Sequence, residues 1–111
     1  MSNKQLSPEI QAILSASDAS LHATTISLVK QFLIEQPDSP RAWIDLGRAL
    51  AHVFRFDEAE QAFGKVIEMS DANSAAAIYG EIGNLYRTQG KFEDAIQWYE
   101  KQISADEEDA L

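Results

Sequence analysis

The chain has 111 residues, 45% of them hydrophobic, a formal net charge of −9 and no cysteine. That length suits one domain, the apolar content argues against global disorder, the charge disfavours a nucleic-acid partner, and the missing cysteines exclude disulfide and thiolate chemistry. No apolar run is long enough to span a bilayer, and the polar start from Met1 to Leu6 does not read as a secretory signal, so a cytoplasmic protein with no membrane partner is expected.

The first predicted element opens at Ser7-Pro8-Glu9 and leads into Ile10, Ile13 and Leu14. Leu21, Ile26, Leu28, Val29, Phe32 and Leu33 then form an apolar helix face that ends before Pro37. A helix pair is expected over residues 1–38, serving as a degenerate repeat or a cap.

Residues 39–72 read as two further helices. Ser39 can cap the first, and Pro40 suits its first turn, where the missing N–H is not needed. Trp43, Leu46 and Leu50 follow at helical spacing, and a break comes near Phe54 and Arg55. The next helix starts around Asp57, whose carboxylate suits a helix N-terminus. Its stripe is Ala59, Ala62, Phe63, Val66 and Ile67.

Residues 73–109 repeat the pattern, with 110–111 left as a tail. Asn73 or Ser74 is the expected cap, Ile78, Tyr79, Ile82, Leu85 and Tyr86 the stripe, and Gly90 the left-handed terminator. A last helix from about Glu93 points Ala95, Trp98, Tyr99 and Ile103 inward. The two units align at a constant offset of 36 residues: Trp43 on Tyr79, Gly47 on Gly83, Phe56 on Phe92, Ala59 on Ala95 and Phe63 on Tyr99. Such a period signals stacked repeats. Gly47 and Gly83 lie mid-helix, where glycine costs roughly 1 kcal/mol against alanine, a cost that makes sense if another helix must come close.

Trp43-Ile44-Asp45-Leu46-Gly47, Phe56-Asp57-Glu58-Ala59 and Phe63 resemble one tetratricopeptide repeat. Tyr79-Gly80-Glu81-Ile82-Gly83-Asn84-Leu85-Tyr86, Gly90 to Ala95, and Tyr99 resemble a second. The resemblance is clear over residues 40–109 and suggestive over 7–38. It departs from the usual period of about 34 by two residues, placed between Asp71 and Ala76. Phe54 stands where the family often has glycine, and the closing proline is absent, with Asp71 and Glu107 near those places. The resemblance implies an all-α, right-handed stack of antiparallel helix pairs, about six helices in all.

It also implies a non-enzymatic scaffold that binds a peptide or protein segment on its concave face. Mapped onto the motif, that face takes Arg41, Ile44, Asp45, Arg48 and His52 from the first unit and Asn84, Arg87 and Thr88 from the second. Arg48 and Arg87 could receive an acidic partner group, since guanidinium pairs well with carboxylate. A well-known subclass grips C-terminal carboxylates with lysines and asparagines here. Ile44 and Arg48 depart from that clamp and only Asn84 matches, which argues against it.

No cofactor, metal or catalytic site is expected. His22 and His52 lack a ligand pattern and read as surface histidines. Asp71-Ala72-Asn73 begins like a calcium loop and fails at Ala75 and Ala76. No phosphate loop or nucleophile elbow is present. Trp43 and Trp98 read as core residues. The charge is uneven: residues 1–56 balance five cations against five anions, so the whole excess lies after Phe56, ending in Asp106, Glu107, Glu108 and Asp109. Two other roles stay open: self-association as a homodimer through Ile96, Trp98, Tyr99 and Ile103 of the last helix, and membership of a longer repeat array.

Overall fold

A computed structural model describes residues 8–110, with side-chain surroundings for 21–71 and 74–106. It contains five helices and, among the described residues, no strand: α1 Pro8–Glu35, α2 Pro40–His52, α3 Phe56–Met69, α4 Ala72–Thr88 and α5 Phe92–Ala110. α2 packs on α3 and α4 on α5, while α1 lies on α2 and α3 on α4. The all-helical stack is therefore present. The difference from about six helices falls at the N-terminus. One helix of 28 residues stands where a pair was expected. The physical reason is that neither glycine nor proline occurs between Pro8 and Pro37, so nothing breaks the helix.

The caps follow local chemistry. The Ser39 hydroxyl accepts from the Ala42 amide at 3.2 Å and Pro40 opens α2. α3 begins at Phe56, with Asp57 and Glu58 in its first turn against the positive end of the helix dipole. Glu58 also receives Arg55 through two 2.7 Å hydrogen bonds and Lys30 of α1 at 3.8 Å. The Arg55 bonds first, and the nearby positive charges after them, hold its carboxyl below the ordinary range. The cap of α4 is Asp71 rather than Asn73 or Ser74. Its carboxylate accepts from the Ser74 amide at 2.9 Å. The two extra residues of the longer period are thus taken up in the first turn of α4.

The core runs between the layers. Leu50, Phe63 and Ile82 are each 1% exposed, and Ala59, Ala62 and Val66 are buried around them. Truncating such a side chain to alanine typically costs about 2–5 kcal/mol, so these positions carry much of the fold. The two mid-helix glycines make room for rings. A Cβ on Gly47 would stand 2.6 Å from the Phe63 ring, and one on Gly83 would stand 2.6 Å from the Tyr99 ring. Both are contacts that no real side chain makes, so glycine is required there unless the ring shifts. A ring of the partner helix is thus what each glycine admits.

Trp43 is half-buried against the core, and its indole N–H donates to the Pro37 carbonyl at 2.8 Å. Trp98 packs on Tyr79 at 5.9 Å between ring centres, and the Lys101 ammonium lies over both rings.

Candidate functional site

The helix pairs leave a cleft of about 400 Å³ between α2 and α4, closed at one end by the α2–α3 turn. Its apolar lining is Ala51, Phe54, Phe56, Phe63 and Leu85, and its polar lining is Arg48, His52, Glu81, Asn84 and Thr88. α2 presents Arg48 and His52 one turn apart, and α4 presents Glu81, Asn84 and Thr88 along one face, as helical spacing requires.

The polar groups are tied to one another. Arg48 donates from Nε at 3.0 Å and from a terminal nitrogen to the same Glu81 oxygen, joining α2 to α4. Those hydrogen bonds first, and the Glu81 charge second, raise the Arg48 pKa further above its already high ordinary value. Asn84 accepts the Tyr99 hydroxyl at its side-chain oxygen, and Thr88 donates to the Asn84 carbonyl at 2.9 Å. The one residue that matched the carboxylate clamp is thus already engaged within the chain.

Phe54 is the feature that stands apart. It has φ +64°, the single positive φ outside glycine among the described residues, and it is 71% exposed. Its ring meets Phe56 edge-on at 5.9 Å between centres. Left-handed backbone costs a non-glycine residue roughly 1–2 kcal/mol, so Phe54 holds a strained backbone with its ring largely in solvent beside the cleft. The sequence flagged Phe54 only as a departure from glycine. The positive φ itself is seen only in the fold.

The residues expected on one binding face divide between two clefts. Arg48, His52, Asn84 and Thr88 line the cleft just described. Arg41 and Asp45 line a second, more apolar one of about 350 Å³ between α1 and α2, with Leu28, Val29 and Phe32. They also pair with each other at 3.2 Å. Ile44 is half-buried against the core, and Arg87 is exposed, outside both clefts. On α5, Ile96 and Ile103 are exposed, whereas Trp98 and Tyr99 are half-buried toward α4.

His22 and His52 come together, which spacing alone did not suggest. Their rings stack at 4.6 Å between centres and 6° from parallel, tying α1 to the last turn of α2. Among the described residues no group of three or more His, Asp or Glu side chains could hold a metal ion. No helix there is long and apolar enough to cross a membrane.

A family model described as Tetratricopeptide repeat matches residues 38–108. Two solved structures are similar. "Crystal structure of MamA" has a TM-score of 0.67 and 21% identity, over 77% of this chain and 48% of that one. "MamA MSR-1 C2" has a TM-score of 0.71 and 20% identity, over 91% of this chain and 58% of that one. The chain thus spans about half the length of these structures, and at this identity the likeness is one of fold. No curated protein matches the chain in sequence. The matched span is most of the chain and contains both glycine-ring contacts and both helix pairs: the chain belongs to the tetratricopeptide-repeat family, whose helical arrays are typically non-enzymatic protein-interaction modules.

Proposed function

We propose that the chain is a binding module that takes a peptide or extended protein segment into the cleft between α2 and α4, on what the family resemblance makes the concave face. The observation that carries this reading is the cleft itself. It joins an apolar floor of Ala51, Phe56 and Leu85 to a polar wall of Arg48, Glu81, His52, Asn84 and Thr88, with the strained Phe54 at its rim. Recognition sites commonly combine an apolar floor with a few placed polar groups.

The segment that fits presents an apolar side chain to Phe54, Phe56 and Leu85 and polar groups to the wall. A carboxylate carried beyond the cleft by that segment would meet Arg87, which is exposed just outside it. Arg48 would join by exchanging Glu81 for the ligand. The acidic partner expected from the sequence therefore rests on Arg48 within the cleft and on Arg87 outside it. A cytoplasmic setting belongs to the same proposal.

The test is affinity capture with the wild-type chain and with Phe54→Gly, followed by identification of the captured proteins and direct titration of the main one. The reading expects at least about a fivefold weaker affinity in the variant, equivalent to about 1 kcal/mol. Equal affinity in a folded Phe54→Gly chain would move the ligand out of this cleft.

A further inference from the structure

We propose that the groove between α1 and α3 receives an extended acidic segment of another protein, one that carries an apolar side chain among its carboxylates. α1 and α3 both pack on α2 and, among the described residues, not firmly on each other. The gap between them holds three hollows of about 250, 300 and 380 Å³ that share Lys30. Trp43, Leu46 and Leu50 of α2 form the floor, at the spacing of one helix face. The α1 wall runs from Ala23 to Ile34, which stand about 17 Å apart along the helix, the span of roughly five extended residues. Trp43 is half-buried and Ile34 is 81% exposed, so apolar surface is open to a ligand side chain. Arg48 and His52 lie roughly 160° around α2 from this floor, so the groove and the α2–α4 cleft are separate surfaces. Both walls and the floor are already in place, and a further helix pair at either end of the stack would leave the groove open.

Charge selects the occupant. Lys30, Arg55 and Lys65 line the hollows against one acid, Glu58, in a chain with 18 acidic and 9 basic residues. Arg55 holds Glu58 through two 2.7 Å hydrogen bonds and so offsets its charge. Lys30 reaches Glu58 only at 3.8 Å, and Lys65 forms no ion pair among the described residues. One ammonium group thus stands on each wall to meet a carboxylate, while Glu68, one turn past Lys65 on α3, lines none of the three hollows. A short segment suits this field better than a long polyanion. Exposed charges beyond about 8–10 Å are screened from it, whereas a nucleic acid or an anionic bilayer would also meet the acidic remainder of the chain. The segment's apolar side chain would rest on Trp43 and Ile34, which line the same hollow.

The probes are two short synthetic peptides with the same central leucine, one flanked by glutamates and one by lysines, titrated into the full chain by calorimetry. The glutamate peptide is expected to bind about tenfold or more tighter, with the preference shrinking as salt rises to about 1 M, where the screening length is about 3 Å. Lys30→Gln with Lys65→Gln should weaken that binding at least about fivefold while the chain stays folded. Trp43 is one of two tryptophans, so in a Trp98→Phe chain its emission reports on this groove alone. The glutamate peptide should shift that emission, and Arg48→Ala with Arg87→Ala should leave the shift unchanged, which separates the groove from the α2–α4 cleft. Equal binding of the two peptides, no binding of either, indifference to the lysine pair, or a Trp43 response lost with the arginine pair would overturn the proposal. Self-association of the free chain that Lys30→Gln with Lys65→Gln disperses would overturn it in favour of the acidic run of a second copy, Asp106 to Asp109.

Discussion

Phe54 and Gly90, 36 residues apart, hold the same left-handed backbone, with φ +64° and +79°, at the turn inside each helix pair. One turn uses the residue that enters this region freely, and the other uses an aromatic that does not. The repeat geometry demands the conformation, so Phe54 is strained by its place in the fold.

Phe54→Gly should therefore stabilise the chain. Relief of the left-handed cost, less the extra freedom of glycine in the unfolded chain and the lost edge contact with Phe56, leaves a gain of roughly 0.5–1 kcal/mol. Thermal melting would show it as a rise of a few degrees. An unchanged or lower melting temperature would mean that the ring contributes more than its exposure implies. The same variant is expected to bind ligand more weakly, so stability and binding should move in opposite directions.

The glycines should rank by the freedom of the ring each one faces. Gly47→Ala meets Phe63, which is buried, while Gly83→Ala meets Tyr99, which is half-buried and can tilt. Overpacking costs about 1–3 kcal/mol, with Gly47→Ala at the upper end and Gly83→Ala lower. Gly64 has nothing within 4 Å of where a Cβ would stand. Gly64→Ala in the interior of α3 should stabilise by roughly 0.5–1 kcal/mol. Denaturant titration of the three variants checks the order, and equal losses at Gly47 and Gly64 would refute it.

Much of this was legible in advance because repeats are local. The stripe on α3 and the cap at Ser39 needed only helical spacing and residue type. The offset that sets Gly47 and Phe63 against Gly83 and Tyr99 was legible too, whereas the ring that each glycine admits came only from the packing. Three further features were not legible, each for a physical reason. The Asp71 cap was missed because the inserted residues displaced the repeat boundary toward Asn73. The His22–His52 stack joins α1, which carries no repeat signature, to α2, and no local rule relates the two. The Arg48–Glu81 pair depends on how two helices are set side by side, which decides whether an arginine faces a ligand or a glutamate of its own chain.

The alkaline limb of stability should carry a signature of Tyr86. Its hydroxyl donates to Glu60 at 2.8 Å, and this bond first, then burial and the nearby acids, push its pKa from the ordinary 10.0 up to about 12. The neutral phenol is thus favoured in the folded chain. Its contribution is full below about pH 10 and is lost as pH rises from about 10 through about 12. The difference in melting temperature between wild type and Tyr86→Phe should shrink over that window. A constant difference across it would contradict the assignment.

Arg48→Ala should cost the fold little, under about 1 kcal/mol, because the Arg48–Glu81 pair is largely exposed on the arginine side. Added to Arg87→Ala, it should weaken capture of an acidic segment, and the loss should shrink at high salt. Unchanged capture by the double variant would leave the apolar floor as the whole of the recognition.

The central claim is that the α2–α4 cleft holds the ligand, and amide chemical-shift mapping of the isotope-labelled chain with the captured segment tests it most directly. The account predicts the largest shifts at Arg48, His52, Phe54, Asn84, Leu85 and Thr88, with α1 and α5 little changed. Shifts concentrated on α1 or α5, with the cleft residues silent, would contradict it.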